Sequence, residues 1–227
     1  SSTLISTHKL KCLAYKTPLQ KGDDGLSIYY EPKKNNFYCV CVDTARGQGK
    51  DYSAFVVFDM TKTPYKIVAT YRNNEISPMV YPTVINAIAR KYNDAFVLVE
   101  INDIGGQVAD ILHADLEYDN ILMTVIKGRK GQVLSSGFGK GSQLGVRTTS
   151  VTKRIGCATI KSLIEEDKLI IEDVDTINEL TTFVAKRNSF EADDGHNDDL
   201  AMCLVLFGWM TTQPYFGELM DIDIRKD

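Results

Sequence analysis

Apolar residues fall in short blocks along the chain, and the spacing within each block predicts its secondary structure. Residues 37–42, 52–58 and 66–71 are continuous or alternating apolar runs rich in aromatic and β-branched side chains, so they predict three strands. Residues 82–92 carry apolar side chains at helical spacing and predict a helix. Residues 95–99 form another short apolar run, which predicts a buried strand.

The second half of the chain continues with alternating helical and strand patterns. We expect helices over residues 106–114, 155–166 and 177–185, and strands over residues 121–126 and 169–171. The last strong element is an apolar helix that begins near Asn197 or Asp198. Because three strands able to pair antiparallel are followed by β–α units, the pattern predicts an α/β domain.

Two segments differ from this pattern and define the domain organisation. Residues 1–36 are polar and mixed, so we interpret them as a lead-in or linker to a domain spanning residues 37–227. Residues 127–154 hold six glycines and predict a loop or hairpin inserted in that domain. The longest apolar run, residues 200–210, is too short to cross a bilayer, so no membrane association is expected.

Composition narrows the chemistry without identifying it. Of 227 residues, 44% are hydrophobic and 25% charged, which is typical of a globular domain rather than a disordered chain. The net charge of −4 excludes a histone-like basic protein. Five cysteines without a CxxC pair and three histidines do not form a zinc pattern.

Acidic residues follow the predicted strands and open the last helix. Asp43 comes directly after residues 37–42, Glu100 comes directly after residues 95–99, and Asp198 and Asp199 lie at the start of the final helix. A charged group beside buried apolar residues is costly unless it is paired or binds a metal ion. If the two strands are neighbours, Asp43 and Glu100 emerge side by side at one edge of the sheet.

Three or four carboxylates in one place repel each other unless divalent cations lie between them. Mg²⁺ or Mn²⁺ with oxygen ligands would relieve that repulsion, and two such ions about 4 Å apart can promote phosphodiester cleavage. The alternative is that Asp43 is a turn residue and Asp198 an N-cap. Neighbouring helical residues point about 100° apart, so Asp198 and Asp199 rarely bind the same pair of ions. Asp198 is the preferred ligand and Asp199 the alternate one.

Three segments resemble the nuclease motifs of the large terminase subunits of contractile-tailed bacteriophages. The first is CVDTARG at residues 41–47, the second is VLVEIN at residues 97–102, and the third is GHNDDLAM at residues 195–202. They occur in the order found in that family, and the resemblance covers residues 26–213. One position departs from the family pattern, because Asn197 replaces a common His and His196 lies one residue earlier. His196 is therefore not assigned as a required ligand.

The resemblance implies the C-terminal nuclease domain of such a subunit. Its expected fold is RNase H-like (ribonuclease H/resolvase/integrase), with a mixed central sheet and flanking helices. The implied activity is endonucleolytic cutting of concatemeric double-stranded viral DNA at the initiation and termination of packaging. By motif match, Asp43, Glu100 and Asp198 would be the catalytic and metal-binding acids, and two Mg²⁺ or Mn²⁺ ions the cofactors. Asp199 remains the alternate metal ligand.

The resemblance also implies partners and a location. Full-length proteins of this family carry an ATPase domain in the same chain, and they work with a portal protein and a small terminase subunit in the cytoplasm of the infected bacterial host. This chain has no G-x-x-x-x-G-K-[ST] motif, and residues 47–51 and 137–141 are near matches without its spacing. We therefore expect no ATP hydrolysis by this chain.

Residues 127–154 contain seven basic residues and no acidic one. Such a cationic, glycine-rich segment suits sequence-independent contact with DNA phosphates, although a solvated loop is the alternative interpretation. The candidate DNA-binding residues are Lys127, Arg129, Lys130, Lys140, Arg147, Lys153 and Arg154.

Two other functions remain open at this point. Another RNase H-like nuclease, such as a junction resolvase or recombinase, would prefer branched DNA to a linear duplex. A non-catalytic module that binds DNA or docks on the portal would bind DNA without metal-dependent cutting.

Overall fold

The computed structural model of the chain describes residues 2–135, 137 and 139–224. In the predicted basic loop, Ser136 and Phe138 lie outside the described residues. In the predicted domain, residues 225–227 lie outside them as well. In chain order the strands are β1 (Gln20–Lys21), β2 (Leu26–Ile28), β3 (Tyr38–Asp43), β4 (Ser53–Asp59), β5 (Tyr65–Asn73), β6 (Phe96–Val99), β7 (Met123–Ile126), β8 (Gln132–Ser135), β9 (Gln143–Leu144), β10 (Leu169–Ile170), β11 (Phe183–Lys186) and β12 (Ser189–Ala192). The helices are α1 (Thr7–Cys12), α2 (Tyr81–Lys91), α3 (Gly105–Asp110, continued by a π-helical turn at Ile111–Asp115), α4 (Ser150–Glu165), α5 (Val174–Thr181), α6 (Asp199–Thr211) and α7 (Pro214–Ile224).

Seven strands of the described part of the chain form the central sheet. Their order is β1-β2-β5-β4-β3-β6, and β10 pairs with β5 outside that path. Strands β3, β4 and β5 are antiparallel neighbours, whereas β6 joins β3 in parallel and β10 joins β5 in parallel. The mixed sheet of the expected α/β domain is thereby confirmed, as are the four strands predicted between residues 37 and 99.

Strand β3 is a continuous apolar run because both faces of the sheet are covered. Cys39 and Cys41 pack in the hydrophobic cluster that contains α4 and α6, whereas Val40 and Val42 pack in the cluster that contains α2 and α3. All four side chains are fully buried. Successive side chains of a strand point to opposite faces, so a strand covered on both sides needs an apolar residue at every position.

Helix α6 is apolar on every side because it lies in the core, where it packs against β3, β4 and α4. Helix α4 approaches it most closely at two glycines. A Cβ atom on Gly208 would lie 2.6 Å from the Gly156 carbonyl oxygen, and one on Gly156 would lie 2.3 Å from the Val205 carbonyl oxygen. The glycines therefore let the two helix backbones pack directly against each other.

Gly156→Ala is expected to lower the free energy of unfolding by about 1–3 kcal/mol, because the added methyl group has no space and the two helices must separate. Thermal unfolding measures this loss. Gly217→Ala in α7 is the matched control, since a Cβ there meets no atom within 4 Å and alanine favours a helix. Equal melting temperatures for the two variants would contradict the close packing of α4 on α6.

Two smaller sheets lie outside the central one. Strands β8, β7 and β9 form an antiparallel sheet in that order, and β11 and β12 form a hairpin. The predicted loop 127–154 thus contains a 3₁₀ turn at Gly128–Lys130, strands β8 and β9, and the first turn of α4. The hairpin, one of the two forms expected here, is present as the antiparallel pair of β7 and β8.

Some predicted helix boundaries were wrong. The helix expected over 177–185 ends at Thr181, because Phe183 and Val184 are buried in β11 and pair with β12. The helix expected from residue 155 begins at Ser150, because Thr149 and Thr152 form a capping box ahead of it. Helix α7 and the hairpin formed by β11 and β12 were not predicted.

Residues 1–36 contribute to the structure rather than only preceding it. Strand β2 pairs with β5 in the central sheet, and Leu4 and Ile5 are buried in the core. The Leu4 N–H donates to the Phe183 carbonyl oxygen at 3.0 Å. The proposed domain boundary after residue 36 stays a prediction. In the part of the chain that the structure describes, every helix is too short or too polar to cross a lipid bilayer.

Candidate active site

Two acidic residues lie at the carboxyl end of the central strand pair. In the parallel pair of β3 and β6, Val42 lies opposite Val99, and the Glu100 N–H donates to the Val42 carbonyl oxygen at 3.0 Å. Asp43 follows Val42 and Glu100 follows Val99, so both come next along their strands. The structure therefore places these two side chains at the same edge of the sheet, where the sequence pattern expected them.

Helix α6 brings two more carboxylates to this edge. Asp199 is its first residue and is buried, while Asp198 precedes it. Asp198 does not cap the helix with its side chain; its Oδ2 atom accepts a hydrogen bond from the Ala192 N–H at 2.9 Å. Asp198 therefore occupies the N-cap position, as the alternative interpretation expected, but its side chain makes no capping hydrogen bond.

The cap is supplied instead by Glu179 of α5, a residue that the sequence pattern did not single out. Its Oε1 atom accepts hydrogen bonds from the Leu200 N–H at 2.8 Å and the Ala201 N–H at 3.0 Å. Its Oε2 atom accepts from Arg72 of β5 at 3.2 Å, and the Arg72 guanidinium lies 4.4 Å from the centre of the Tyr52 ring. A buried glutamate thus satisfies the amino end of α6 and leaves both aspartates for other partners.

A polar cleft of about 400 Å³ opens in front of these acids. Arg46 and Asp103 form an ion pair at its exposed rim. Glu100 is not part of the cleft wall; it directly follows β6, the strand that pairs with β3 next to Asp43. The residues lining the cleft are Asp43, Thr44, Ala45, Arg46, Gln48, Lys50, Asp51, Asp103, Asp198 and Asp199.

The electrostatics show that the four carboxylates act on one another. Burial raises the pKa of Asp43 well above its usual range, and the charges of Glu100, Asp199 and Asp198 raise it further. Burial also raises the pKa of Glu100, against the lowering effects of Thr148 and Lys153. Burial, Asp198 and Asp51 raise the pKa of Asp199 to about 7. Without a counter-ion this arrangement disfavours full ionisation.

The donor set fits hard divalent cations, which prefer carboxylate and hydroxyl oxygens. The buried Thr44 Oγ1 beside Asp43 makes no hydrogen bond, whereas the Thr148 hydroxyl interacts with Glu100 and lowers its pKa. An unsatisfied buried oxygen next to clustered carboxylates suits an ion with its bound water. Among the described residues, no three His, Cys, Asp or Glu side chains are arranged around one ion position.

The metal-free protein is expected to lose stability as pH rises from about 4 to about 7. In that window the folded protein keeps the Asp199 proton that the unfolded chain has already released, because the folded-state pKa is raised to about 7. The state that binds more protons is favoured at low pH, so stability falls as pH rises.

Thermal unfolding in EDTA at several pH values checks this expectation. Asp199→Asn removes the titrating group and should flatten the pH dependence. Mg²⁺ should raise the melting temperature more at high pH than at low pH. A wild-type dependence that is unchanged in Asp199→Asn would contradict the assignment to this residue.

The segment before α4 connects this acidic site to the basic region. The Asn102 side chain makes two hydrogen bonds with the Thr148 backbone, at 2.8 and 3.0 Å. The Gln132 side chain likewise makes two with the Arg147 backbone, each at 2.8 Å. These contacts hold the start of α4 beside β6, so the charge of Lys153 in its first turn acts on Glu100.

Four of the candidate DNA-binding residues line a second, larger groove of about 810 Å³. It lies between the β7–β8 hairpin, the start of α4, the end of α6 and the start of α7. Lys140 and Arg154 are exposed but lie outside the groove wall, and Lys153 is half-buried near Glu100. The four residues that line the groove are Lys127, Arg129, Lys130 and Arg147.

The remaining polar residues of the third motif lie apart from the cleft wall. His196 is exposed, and its backbone N–H donates to the Asp193 carbonyl oxygen at 3.0 Å. Asp194, which directly precedes the motif, pairs with Lys186 at 2.8 Å. The structure therefore supports leaving His196 out of the site residues.

Comparisons with known proteins agree with the architecture. The family model described as a terminase RNaseH-like domain matches residues 40–207. The large terminase nuclease from thermophilic phage G20c with bound magnesium is 19% identical, with a TM-score of 0.67 over 91% of this chain and 96% of that chain. The Thermus phage P74-26 large terminase nuclease domain is 21% identical, with a TM-score of 0.66 over 90% and 93%. These structures confirm the RNase H-like fold, and the family match covers most of the sequence, so the chain belongs to the family of terminase RNaseH-like domains.

Proposed function

We propose that this chain is a divalent-metal-dependent endonuclease that cuts double-stranded DNA during viral genome packaging. The observation that carries the proposal is the convergence of four carboxylates, from β3, from the residue after β6 and from the start of α6, on one edge of the sheet. Few chemistries need four buried or half-buried acids whose charges act on one another. Metal-assisted phosphodiester hydrolysis is one of them.

Asp43, Glu100, Asp198 and Asp199 would hold the ions, and we propose Mg²⁺ or Mn²⁺, two per site, as the natural set. When bound, such ions neutralise charge on the scissile phosphate and activate the attacking water. The G20c nuclease has been crystallised with magnesium, cobalt and zinc. A relative that accepts several divalent ions supports metal dependence in this chain.

The chain's own residues then place and polarise the substrate. Arg46 and Lys50 line the cleft and would attract the DNA backbone toward the acids. Asp43, whose charge interacts with Glu100 and with both acids of α6, would hold the ions together with them. In the reaction water attacks the phosphorus, the bond to the 3′-oxygen breaks, and the cut leaves a 5′-phosphate and a 3′-hydroxyl.

The seven basic residues between Lys127 and Arg154 would supply sequence-independent contacts to duplex phosphates. We further propose that the domain acts in the cytoplasm of an infected bacterium, alongside a terminase ATPase domain, a portal protein and a small terminase subunit. Membership of the terminase family supports this context.

Conversion of supercoiled plasmid to nicked and linear forms tests the proposal. Cutting is expected with Mg²⁺ or Mn²⁺ and should stop with EDTA, while Ca²⁺ is expected to support binding without cutting. Four-way junctions run beside the linear duplex identify a junction resolvase, if the junction is strongly preferred. Salt-dependent DNA binding without cutting in any metal would instead identify a non-catalytic module.

A further inference from the structure

The groove beside the acidic site has a strongly cationic rim. Lys127, Arg129, Lys130 and Arg147 line it, and Glu218 is the single carboxylate among the described residues of its wall. This charge complements a polyanion. The cationic rim alone would bind the phosphates of any DNA, because phosphate contacts do not distinguish a duplex from a single strand.

The wall of the same groove is apolar. Ile126 and Val151 line it with 72% and 48% of their surface exposed, and the half-buried Tyr215 of α7 adds an aromatic side chain. Large apolar side chains grouped at the surface mark a binding site. An intact duplex keeps its base faces inside, so it would cover the rim and leave this wall in water. An unpaired strand presents phosphates and base faces together.

We propose that this groove binds an unpaired segment of a DNA strand, with the phosphates on the cationic rim and the bases against Tyr215, Ile126 and Val151. The choice of DNA as the ligand rests on the proposed nuclease function. The proposal goes further by naming DNA with locally separated strands as the substrate form that the domain recognises.

The position of the groove supports this assignment. Arg147 and Thr152 line the groove, while the adjacent residues Thr148 and Lys153 act on Glu100. The groove and the acidic site therefore share the segment that joins β9 to α4. A strand bound in the groove would lie next to the site of cutting.

Binding of labelled oligonucleotides in EDTA, where nothing is cut, tests the proposal. The probes are a short oligothymidylate, an abasic strand with the same number of phosphates, and a duplex of the same length. The oligothymidylate is expected to bind at least about tenfold more tightly than the abasic strand, because the bases stack on the groove wall. Equal affinities for the two strands would overturn the proposal.

Variants then assign the base contacts to the groove. Tyr215→Ala and Ile126→Ser are expected to remove the preference for the oligothymidylate over the abasic strand. Ile126 is 72% exposed, so its substitution removes little packing. Tyr15→Ala is the matched control, because Tyr15 is 67% exposed and lies outside the groove. Arg129→Ala should weaken binding of both strands equally. It should also reduce the slope of log affinity against log salt concentration by about one.

A base preference that survives in both Tyr215→Ala and Ile126→Ser would overturn the assignment to this groove. Groove variants that bind all three probes like the wild type would also overturn it, and would direct attention to an acidic protein segment as the occupant. The result is separable from the nuclease proposal. A wild-type protein that prefers bases in EDTA but never cuts with Mg²⁺ or Mn²⁺ retains the groove and loses the nuclease.

Discussion

Asp43→Asn is expected to abolish metal-dependent cutting of plasmid DNA while the protein stays folded. Asp43 lines the cleft, and its charge interacts with those of Glu100, Asp199 and Asp198. Asparagine has nearly the same shape but lacks the charge that an ion needs. Because changes outside the ligand set already cost metal sites about 10–100-fold, loss of this acid should lower the cutting rate by at least about 100-fold.

The stability of the metal-free Asp43→Asn protein should not fall, although its activity is lost. Removing one of several mutually repelling buried carboxylates relieves desolvation and repulsion. We therefore expect the metal-free Asp43→Asn protein to melt at or above the wild-type temperature. The stabilisation that Mg²⁺ gives the wild type should be reduced in the variant, since ligand binding to the folded state alone raises stability.

Plasmid conversion and thermal unfolding, each with and without Mg²⁺, measure the two effects. Asp59→Asn is the matched control, because Asp59 ends β4 at the opposite end of the β3–β4 pair from Asp43 and accepts hydrogen bonds from Asn36 and Thr61. That control should cut like the wild type. Cutting that survives Asp43→Asn would place the active site elsewhere in the chain.

Glu179→Ala is expected to have the largest effect on stability and to weaken metal binding as well. It removes the acceptor of two backbone N–H groups at the start of α6 and leaves Arg72 without its buried partner. Removing one member of a buried ion pair costs about 3–5 kcal/mol. The pKa of Glu179 is raised to about 7 by burial, so we expect a loss near the lower end, about 3 kcal/mol at pH 8.

The consequence for metal binding follows from the position of Glu179. The helix turn that it caps begins with Asp199 and follows Asp198. Once the cap is lost, that turn is no longer held in one orientation, so the metal concentration for half-maximal cutting should rise about tenfold. Urea unfolding gives the stability, and titration of Mn²⁺ binding gives the affinity directly.

Glu179→Gln separates the two roles, because its amide oxygen can still accept from the helix while its amide nitrogen faces Arg72. It should lose less stability than Glu179→Ala. Asp59→Asn again controls for a lost carboxylate outside the site. A Glu179→Ala protein that is destabilised but binds Mn²⁺ with wild-type affinity would show that the cap does not orient the acids of α6.

Local sequence patterns predicted the structure correctly where it depends on one strand or helix alone. The run ending at Val42 predicted β3, and the run ending at Val99 predicted β6, so the positions of Asp43 and Glu100 at strand ends followed directly. The motifs that resemble terminase nucleases also predicted the RNase H-like fold, which the comparisons confirmed. Periodicity reports which face of an element is buried, and it does so from neighbouring residues alone.

The same patterns failed where two elements compete for the same residues. Residues 177–185 have apolar spacing that suits a helix, yet Phe183 and Val184 belong to a strand. Their pairing with β12 and the hydrogen bond from Leu4 stabilise the extended form. Contacts made by distant residues therefore overrode the local preference, which is a weak term on its own.

By itself the sequence determined the class of fold, the apolar strands and the acids that end them, because these depend on spacing along one stretch of chain. The tertiary structure alone decided that Glu179 and Arg72 hold the start of α6, and that four cations meet apolar side chains in one groove. Glu179 contacts Arg72 across 107 residues of sequence. No local pattern encodes such contacts, because they exist only once the sheet and the helices have packed together.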